Sequence, residues 1–341
     1  MGYLAQNQQL RENPAELLPG ARSLICAAMN YRSPRECEQA SGDPRGRIAR
    51  YARGKDYHVV LRELLTSLAD ELRREIDEPL ETRVLVDTAP LFEREAAAAA
   101  GIGWVGKNTL VLSRELGSYT VLGEIMTTLD LEPDAPASDH CGSCTRCLDA
   151  CPTAAFTEPY RMDASRCISY LTIEHRGEIP PEFHARIGDW VFGCDVCQEV
   201  CPFNNHAAGG TNVDLTSDRT PASLELLPLL NLRSGEYRRL TKDSSLRRAK
   251  RGMFRRNSAV ALGNSGATTP ESERGLSEAA ACDDALVKTA AKAALRRLCA
   301  DRCAATSRNA DPESEARQPN TPRIDTRPVA RDTRGNPDER G

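Results

Sequence analysis

The sequence of 341 residues contains no apolar run that approaches the roughly 18 to 20 residues of a membrane-spanning helix. The residues after Met1 also lack the charged start and apolar core of a secretory signal peptide. Neither sign of charge dominates, because 45 basic and 49 acidic side chains leave a net charge of −4. These absences argue against a membrane protein and a uniformly basic nucleic-acid coat, and they predict a cytoplasmic protein.

Cysteine, in contrast, is abundant and unevenly distributed. Eight of the 13 cysteines fall between Cys141 and Cys201, two precede this block and three follow it. Structural disulfides are rare in reducing compartments, so the spacing points first to metal ligation or redox chemistry. We therefore expect the middle block to be a functional unit of its own.

Two runs in this block have the spacing of iron–sulfur ligands. CGSCTRCLDACP has the intervals x2, x2 and x3 before a proline, and GCDVCQEVCP lacks one ligand that Cys167 can supply. Two 4Fe-4S clusters need eight thiolates, which is the number in the block. The crossed pattern of two-cluster ferredoxins assigns Cys141, Cys144, Cys147 and Cys201 to one cluster and Cys151, Cys167, Cys194 and Cys197 to the other.

A zinc site built from C-x2-C pairs is the alternative interpretation of these runs. Zinc sites use four ligands in two pairs. They do not explain a third close cysteine in each run or the repeated Cys-Pro ending. The pattern therefore favours two iron–sulfur clusters.

Outside the cysteines, the sequence predicts mixed helix and strand followed by helices. Apolar residues recur every four positions from Val60 to Ile76, RVLVD resembles a strand that ends at Asp87, and LFEREAAAAAG resembles a helix that ends at Gly101. Short helical stretches follow Cys201, and from Ala304 onwards aromatic residues are missing. We expect an α/β (α+β) region at 1–135, a cysteine region at 136–210, a helical-repeat region at 211–303 and a disordered tail at 304–341.

One short stretch carries most of the local positive charge. Between Arg238 and Arg256, nine basic residues accompany a single acid, Asp243, which gives a local charge of +8. An ordinary solvated helix face is the alternative, but such a face usually mixes both signs. The stretch therefore predicts a phosphate-binding surface for a nucleic acid.

Six motifs lie between Tyr51 and Asn204, and the spacing between them is that of one protein family, to which the sequence is similar from about Arg11 to Gly266. They are YARGKDYH, VDTAPLFEREAAAAAGIGWVGKNT, GSYTVLGEI, CGSCTRCLDACPT, RCISYLTIE and GCDVCQEVCPFN. Together they resemble the epoxyqueuosine reductases. The resemblance implies a cobalamin-dependent iron–sulfur oxidoreductase that reduces epoxyqueuosine to queuosine at the wobble position of tRNA anticodons.

The resemblance also implies an architecture and partners. We expect a cobalamin-binding α/β domain, a ferredoxin-like domain with two 4Fe-4S clusters and a C-terminal α-helical, HEAT-like module that helps to hold the tRNA. The expected partners are tRNA carrying epoxyqueuosine and an external low-potential electron donor. The chain is expected to be monomeric and to bind no membrane.

Asp87 matches the family's proton donor by its place in the VLVDTAP segment. A carboxyl group can act as an acid near neutral pH only if its pKa is raised, as burial beside an apolar macrocycle would do. Without the resemblance, an aspartate between a strand and a helix is more often a helix cap. The surrounding motif favours the catalytic role.

The resemblance further implies a set of cobalamin contacts. The residues that match segments lining the corrin or its nucleotide tail are Arg11, Arg50, Asp87, Lys107, Asn108, Thr109, Leu122 and Asp195. His58 lies in DYHVVL, where Leu61 replaces the glycine of the D-x-H-x-x-G pattern of cobalamin-ligating histidines. We therefore expect no protein histidine ligand to cobalt.

Two departures and two alternatives complete the sequence interpretation. Family members carry another strand and helix upstream of GYLAQNQQLRENP, so we expect a shortened first domain, and the tail replaces recognisable structure at the other end. A reductive dehalogenase would share the cobalamin and both clusters, but such enzymes normally carry a twin-arginine signal and lack a basic helical module. A ferredoxin-type electron carrier would need no Asp87 motif.

Overall fold

The computed structural model describes residues 7–33, 42–266 and 269–309, without the side chains of residues 301 and 303–309. Residues 1–299 form one compact unit, and residues 300–341 are a second. The last described helix continues to Asn309, past the predicted start of the tail at Ala304. The remainder of that predicted tail, residues 310–341, lies outside the described residues.

The strands of the described residues are short except for two of eight residues. They are β1 (Ser23–Asn30), β2 (Arg45–Ile48), β3 (Thr82–Leu85), β4 (Trp104–Val105), β5 (Val111–Leu112), β6 (Thr120–Thr127), β7 (Phe156–Glu158), β8 (Arg161–Met162), β9 (Trp190–Phe192) and β10 (Ser223–Glu225).

Helices separate these strands and dominate the end of the chain. They are α1 (Gln8–Glu12), α2 (Tyr57–Glu75), α3 (Glu93–Ala99), α4 (Arg146–Asp149), α5 (Ile168–Ile173), α6 (Pro181–Ile187), α7 (Val196–Glu199), α8 (Val213–Thr216), α9 (Leu226–Leu230), α10 (Ser234–Leu240), α11 (Arg251–Asn264), α12 (Pro270–Ala281) and α13 (Ala285–Asn309). Single 3-10 turns occupy Pro14–Leu17, Arg50–Ala52, Ala164–Arg166, Pro202–Asn204 and Ser245–Arg248.

The first sheet is antiparallel, with β6 between β1 and β3. Successive side chains on a strand point to opposite faces, so Val121 and Ile125 share one face of β6. The long helix α2 covers this face so closely that a Cβ on Gly123 would lie 2.7 Å from the side chain of Leu65. The other face, which carries Glu124, packs against α3.

Helix α2 confirms the predicted helix but buries a different stripe of it. Leu64 and Leu68 are 44% and 40% exposed, whereas Leu61 and Leu65 are buried. A spacing of four residues advances further than one turn of 3.6 residues. The predicted stripe therefore drifts away from the sheet, and residues one position removed make the contact.

The second sheet connects all three of the predicted folded regions. Its central strand β2 pairs in parallel with β9 and antiparallel with β10. Part of ASLELLPLLNL, which the sequence predicted as helix, forms β10 because it pairs with β2 before α9 begins. The boundaries at residues 135 and 210 stay a prediction, and this sheet crosses both of them.

The helical region packs on the second sheet around one large apolar core. Helix α11 lies against β9, α6, α9 and α5, and its Phe254 is fully buried. Arg256 is only 1% exposed, and its guanidinium donates hydrogen bonds to the carbonyls of Leu171, His175 and Gly177. This arginine fixes the segment after α5 instead of contacting solvent.

Candidate active site

A cavity of about 560 Å³ lies where β6 and the start of α2 meet the cysteine region. Two kinds of reactive side chain line the cavity. The first is a group of four cysteines, and the second is a set of carboxyl groups with one imidazole. We call the lining cysteines Cys151, Cys167, Cys194 and Cys197 the inner cysteine group. We call Asp56, His58, Asp87, Glu93 and Glu124 the acid–imidazole group, of which three members line the cavity and two lie behind it.

The inner cysteine group is the second of the two ligand sets predicted from sequence. Burial raises the pKa of the Cys167 and Cys194 thiols, and the nearby thiols of the group raise it further. The main-chain N–H of Ala155 donates a hydrogen bond of 3.3 Å to Cys151 Sγ, and Thr153 Oγ1 lies 3.5 Å from the same sulfur. Clustered cysteine thiols such as these suit a site where a cationic iron cluster replaces their protons.

The other predicted set, Cys141, Cys144, Cys147 and Cys201, lines a separate cavity of about 20 Å³. We call it the outer cysteine group. Burial and the nearby Cys201 thiol raise the pKa of Cys147 to about 11. Cys147 in turn raises the pKa of Cys197 in the inner group, although burial is the larger cause there. The two groups therefore adjoin, as a path for electrons requires.

Two side chains that the sequence did not assign to the clusters brace the outer group. The indole N–H of Trp104 donates to Cys141 Sγ at 3.4 Å. The Nζ of Lys107 donates to the carbonyls of Gly142 and Cys144. The GIGWVGKN turn thus supports the outer cysteine loop, a role that only the tertiary contact reveals.

Asp56, His58 and Asp87 form a continuous hydrogen-bonded chain. His58 Nδ1 lies 2.7 Å from Asp56 Oδ1, and His58 Nε2 lies 3.0 Å from Asp87 Oδ2. Asp56 caps α2 by accepting the main-chain N–H of His58, which brings the imidazole to the first turn of the helix. The helix start therefore sets the direction of His58 towards the cavity.

The charges of this chain differ from the sequence expectation. Burial opposes the charged imidazole, but hydrogen bonds to Asp56 and Asp87 outweigh it and raise the pKa of His58 to about 9. The hydrogen bond from His58 holds the pKa of Asp87 below its ordinary value, although burial opposes this. The expected raised pKa of Asp87 is therefore wrong for this arrangement, because its partner is a cation. At neutral pH the proton resides on His58.

Two further carboxyl groups lie beside Asp87. Glu93, the first residue of α3, accepts a hydrogen bond from the main-chain N–H of Asp87. Burial and the charge of Asp87 raise the pKa of Glu93 to about 7. Burial and the neighbouring Glu93 raise that of Glu124 to about 8. Sequence reasoning missed both residues, since neither stands in a recognisable catalytic pattern.

The predicted cobalamin contacts divide between the cavity and other places. Asp87, Asn108, Thr109, Leu122 and Asp195 line the cavity. The other three predicted contacts, Arg11, Arg50 and Lys107, are not lining residues, and Lys107 is engaged at the outer cysteine group.

Asp195 and two buried polar atoms without a hydrogen-bond partner are available to bind a polar ligand in the cavity. Asp195 is buried, accepts the main-chain N–H of Arg50 at 2.8 Å, and has its pKa raised to about 6 by burial. Asn108 Nδ2 and Ser245 Oγ are buried without a hydrogen-bond partner, and both residues line the cavity. Buried polar groups usually find partners, so these atoms fit the amide side chains of a corrin ring.

The basic stretch contributes to both surface and core. Its exposed members are Arg238, Arg239, Lys242, Arg247, Arg248 and Lys250. Arg251, Arg255 and Arg256 instead donate to main-chain carbonyls of the fold. The predicted phosphate-binding surface is therefore smaller than the sequence run suggests.

Comparison with known proteins identifies this arrangement. An epoxyqueuosine reductase of Pseudomonas aeruginosa is 44% identical over 273 residues, which cover 79% of this chain and 75% of the relative. One from Synechocystis is 46% identical over 255 residues, covering 74% of this chain and 87% of the relative. The chain belongs to the epoxyqueuosine reductase family.

Two family models match separate segments of the chain. The model described as epoxyqueuosine reductase QueG, DUF1730, matches residues 11–88, and the 4Fe-4S double cluster binding domain matches residues 140–204. The first match ends next to Asp87, and the second includes all eight clustered cysteines. Both cysteine groups thus belong to the matched cluster domain of an epoxyqueuosine reductase family member.

Solved structures of the epoxyqueuosine reductase family have the same fold. A crystal structure of epoxyqueuosine reductase with a tRNA-Tyr epoxyqueuosine-modified stem loop has a TM-score of 0.78 at 37% identity, covering 84% of this chain and 76% of that chain. The Bacillus subtilis enzyme, with its catalytic Asp loop swung out of the active site, has a TM-score of 0.78 at 32% identity, covering 91% and 83%. In the part of this chain that the structure describes, helices long and apolar enough to cross a membrane are absent.

Proposed function

We propose that this chain reduces epoxyqueuosine to queuosine in tRNA, with electrons passing through two 4Fe-4S clusters to cobalamin and with Asp87 delivering a proton. One observation carries the proposal: the inner cysteine group and the Asp87–His58 pair line the same cavity. Opening and deoxygenating an epoxide consumes two electrons and protons, so electron and proton sources are needed at one place.

The electron path follows from which cysteines line the cavity. The outer cysteine group would hold a cluster that accepts electrons from an external low-potential donor. The inner cysteine group would hold the cluster that delivers them, because it lines the large cavity and adjoins the outer group. This order makes the outer cluster the entry point and the inner cluster the last protein-bound carrier.

The cavity fits cobalamin through its polar atoms. Asn108 Nδ2 and Ser245 Oγ are buried donors without a partner, and Thr109, Leu122 and Asp195 line the same space. These residues would hold the propionamides and the apolar edge of the corrin. When bound, cobalamin supplies a cobalt centre that accepts electrons singly and transfers them to the substrate.

The proton path begins at His58. Asp56 stabilises the imidazolium, and the Nε2–H of His58 points at Asp87 Oδ2 from 3.0 Å. Filling the cavity excludes water from Asp87, which favours the neutral acid over the carboxylate. The proton then moves from His58 to Asp87, and from Asp87 to the substrate. His58 is thus a proton source and not a metal ligand.

The partner is tRNA, and an exposed basic surface supports this. Arg238, Arg239 and Lys242 are exposed, and Arg248 of the same basic stretch lines the cavity. Lysine and arginine side chains bind nucleic-acid phosphates by releasing condensed counterions. A tRNA held on this surface would present its anticodon loop to the cavity.

The test is nucleoside mass spectrometry on tRNA that carries epoxyqueuosine. The chain is reconstituted with iron and sulfide and incubated anaerobically with cobalamin and a low-potential reductant. Loss of one oxygen from the modified nucleoside, only when cobalamin is present, is the expected result. An unchanged nucleoside in a sample where clusters and cobalamin are demonstrably bound would overturn the proposal.

A further inference from the structure

Two of the inner cysteines lie at the ends of neighbouring elements of the fold. Cys167 directly precedes α5, and its carbonyl accepts the main-chain N–H of Leu171 at 2.9 Å, so it belongs to the first turn of that helix. Cys194 follows the end of β9, after Gly193. Because each cysteine is attached to one of these elements, the separation of their sulfur atoms depends on how α5 lies against β9.

The turn between β9 and Cys194 is held by the helix that follows Cys167. Gly193 has a φ of 71°, and a Cβ at this position would overlap the side chain of Ala49, so the turn requires glycine. The main-chain N–H of Gly193 donates to Thr172 Oγ1 at 3.0 Å, and Thr172 is a buried residue of α5. A hydrogen bond therefore joins the two cysteine-bearing elements directly.

One amide from the helical region joins the same two elements. Asn257, on α11, is fully buried, and its Nδ2 donates to the carbonyls of Thr172 at 2.9 Å and Val191 at 2.8 Å. Its Oδ1 accepts two hydrogen bonds from the guanidinium of Arg256, at 3.0 and 2.9 Å, which fixes the orientation of the amide. A buried amide whose donors and acceptor are all used specifies one arrangement of its partners.

Apolar packing between α11 and β9 does not supply the same precision. Phe254 of α11 stacks on Phe192 of β9, with ring centroids 5.8 Å apart. Hydrophobic contact is non-directional, whereas a hydrogen bond weakens steeply as its angle changes. Burial of an amide also carries a desolvation cost that an apolar side chain at position 257 would avoid. The polar contact of Asn257 therefore adds a defined position to the cohesion that the aromatic rings provide.

We propose that Asn257 is a positioning residue for the inner cluster: it fixes α5 against β9 and thereby sets the separation of Cys167 and Cys194. The proposal rests on the proposed function, in which these two cysteines bind the same iron–sulfur cluster. Without the amide, α5 shifts along β9 and the cluster is held less firmly. The helical region is then part of the scaffold of the inner cluster as well as the carrier of the exposed basic residues.

Release of iron into a chelator, from the full chain with both clusters, tests the proposal without measuring turnover. Asn257→Asp retains the acceptor for Arg256 and removes both donors to the carbonyls of Thr172 and Val191. About four of the roughly eight iron atoms should then leave about tenfold faster than in the wild type, the effect expected from losing these hydrogen bonds. The other iron atoms should leave at the wild-type rate.

Asn264→Asp is the matched control, because it makes the same change on the same helix. Asn264 Nδ2 donates to the carbonyls of His184 and Gly188, each at 2.7 Å, and its Oδ1 accepts from Arg297. These carbonyls belong to α6 and the residue after it, and the sequence has no cysteine between positions 168 and 193. Asn264→Asp should release iron from both clusters at the wild-type rate, and circular dichroism should show wild-type helix content in both variants.

Cys167→Ala identifies the cluster that supplies the faster iron. This change should leave the outer cluster alone, so adding Asn257→Asp to it should not alter the rate of release. A general loss of stability would instead speed release from both clusters. Equal rates in Asn257→Asp and Asn264→Asp would overturn the proposal, as would faster release from the outer cluster of the double variant.

Asn257→Ser provides the same comparison if the aspartate variant does not fold. Its hydroxyl can donate to one carbonyl, so the acceleration should be smaller and again confined to the inner cluster, with Asn264→Ser as the control. Wild-type release from both clusters in Asn257→Ser would count against the positioning role.

The result is separable from the proposed reaction. Missing turnover in the wild type contradicts the reaction but leaves the comparison of iron release intact. Full iron in Cys167→Ala contradicts the ligand set, and the positioning role with it. Unaltered release in Asn257→Asp, in a chain that turns over, contradicts the positioning role while the reaction stands.

Discussion

The inner cysteine group and the acid–imidazole group line one cavity, yet they are built differently. The cysteines all lie between Cys151 and Cys197, and their spacing marks them in the sequence as cluster ligands. The acid–imidazole group collects residues from α2, the β3 turn, α3 and β6, which are distant in sequence. The comparison teaches that the electron side of this site is recognisable from cysteine spacing within one region of the chain, whereas the proton side depends on how the first sheet and its helices pack.

Removal of one inner cysteine should affect the electron side most strongly. In Cys167→Ala the inner cluster loses a ligand, so bound iron should decrease from about eight to about four atoms per chain and turnover should cease. Iron analysis and the electron paramagnetic resonance spectrum measure this. Cys282→Ala, outside both groups, is the control and should retain its iron. Unchanged iron in Cys167→Ala would remove Cys167 from the ligand set.

Asp87→Asn should break the proton side and leave the electron side intact. An amide cannot deliver a proton, so turnover should fall by about 100- to 10,000-fold, the usual contribution of general acid catalysis. Iron content and cobalamin binding should not change. Asp77→Asn makes the same change at an exposed position and should leave turnover unchanged. Full activity in Asp87→Asn would exclude it from the reaction.

The His58→Gln variant tests the proton side of the site through the pH dependence of the unfolding free energy. His58 has its pKa raised to about 9, so its ion pairs stabilise the fold fully below pH 6.5 and progressively less as pH rises through 9. The variant should lose about 2 kcal/mol of unfolding free energy near pH 6, after allowance for solvent screening. That loss should shrink towards pH 10 in denaturant titrations. A loss independent of pH would contradict the imidazolium assignment.

Trp104→Phe should distinguish the two cysteine groups from each other. The indole N–H donates to Cys141 Sγ in the outer group, and a donor to a ligand sulfur stabilises the reduced, more negative cluster. Losing about 1 kcal/mol of hydrogen bonding should lower the outer potential by about 40 mV. A redox titration followed by electron paramagnetic resonance measures both clusters. An equal shift of the inner cluster would show that the effect is not local.

Much of the fold and the family were predictable from sequence. The family prediction is confirmed by relatives above 40% identity, and the cluster domain is confirmed over residues 140–204. Iron–sulfur ligation constrains spacing along the chain, so the order of the cysteines was enough to propose the two ligand sets. Their detailed assignment stays a prediction, and each set lines its own cavity.

The other features of the site could not be predicted from sequence, because they depend on tertiary contacts. The pKa of Asp87 depends on His58, which reaches it from a helix 29 residues earlier in the chain. Lys107 was expected at the cobalamin, but its ammonium group lies on the outer cysteine loop. Arg256 belongs to a basic run by composition, and it is buried because three carbonyls surround it. Local sequence patterns do not contain these partners.

The four residues of β2 have a consequence for engineering. This strand comes from the first third of the chain, and its two neighbours come from the cysteine region and the start of the helical region. Excising the helical region at residue 210 would remove β10 and leave an open strand edge beside an uncovered core. The basic helices therefore cannot be exchanged as an independent cassette. Selectivity for other RNAs would have to be evolved on the intact chain, with residues 42–48 left unchanged.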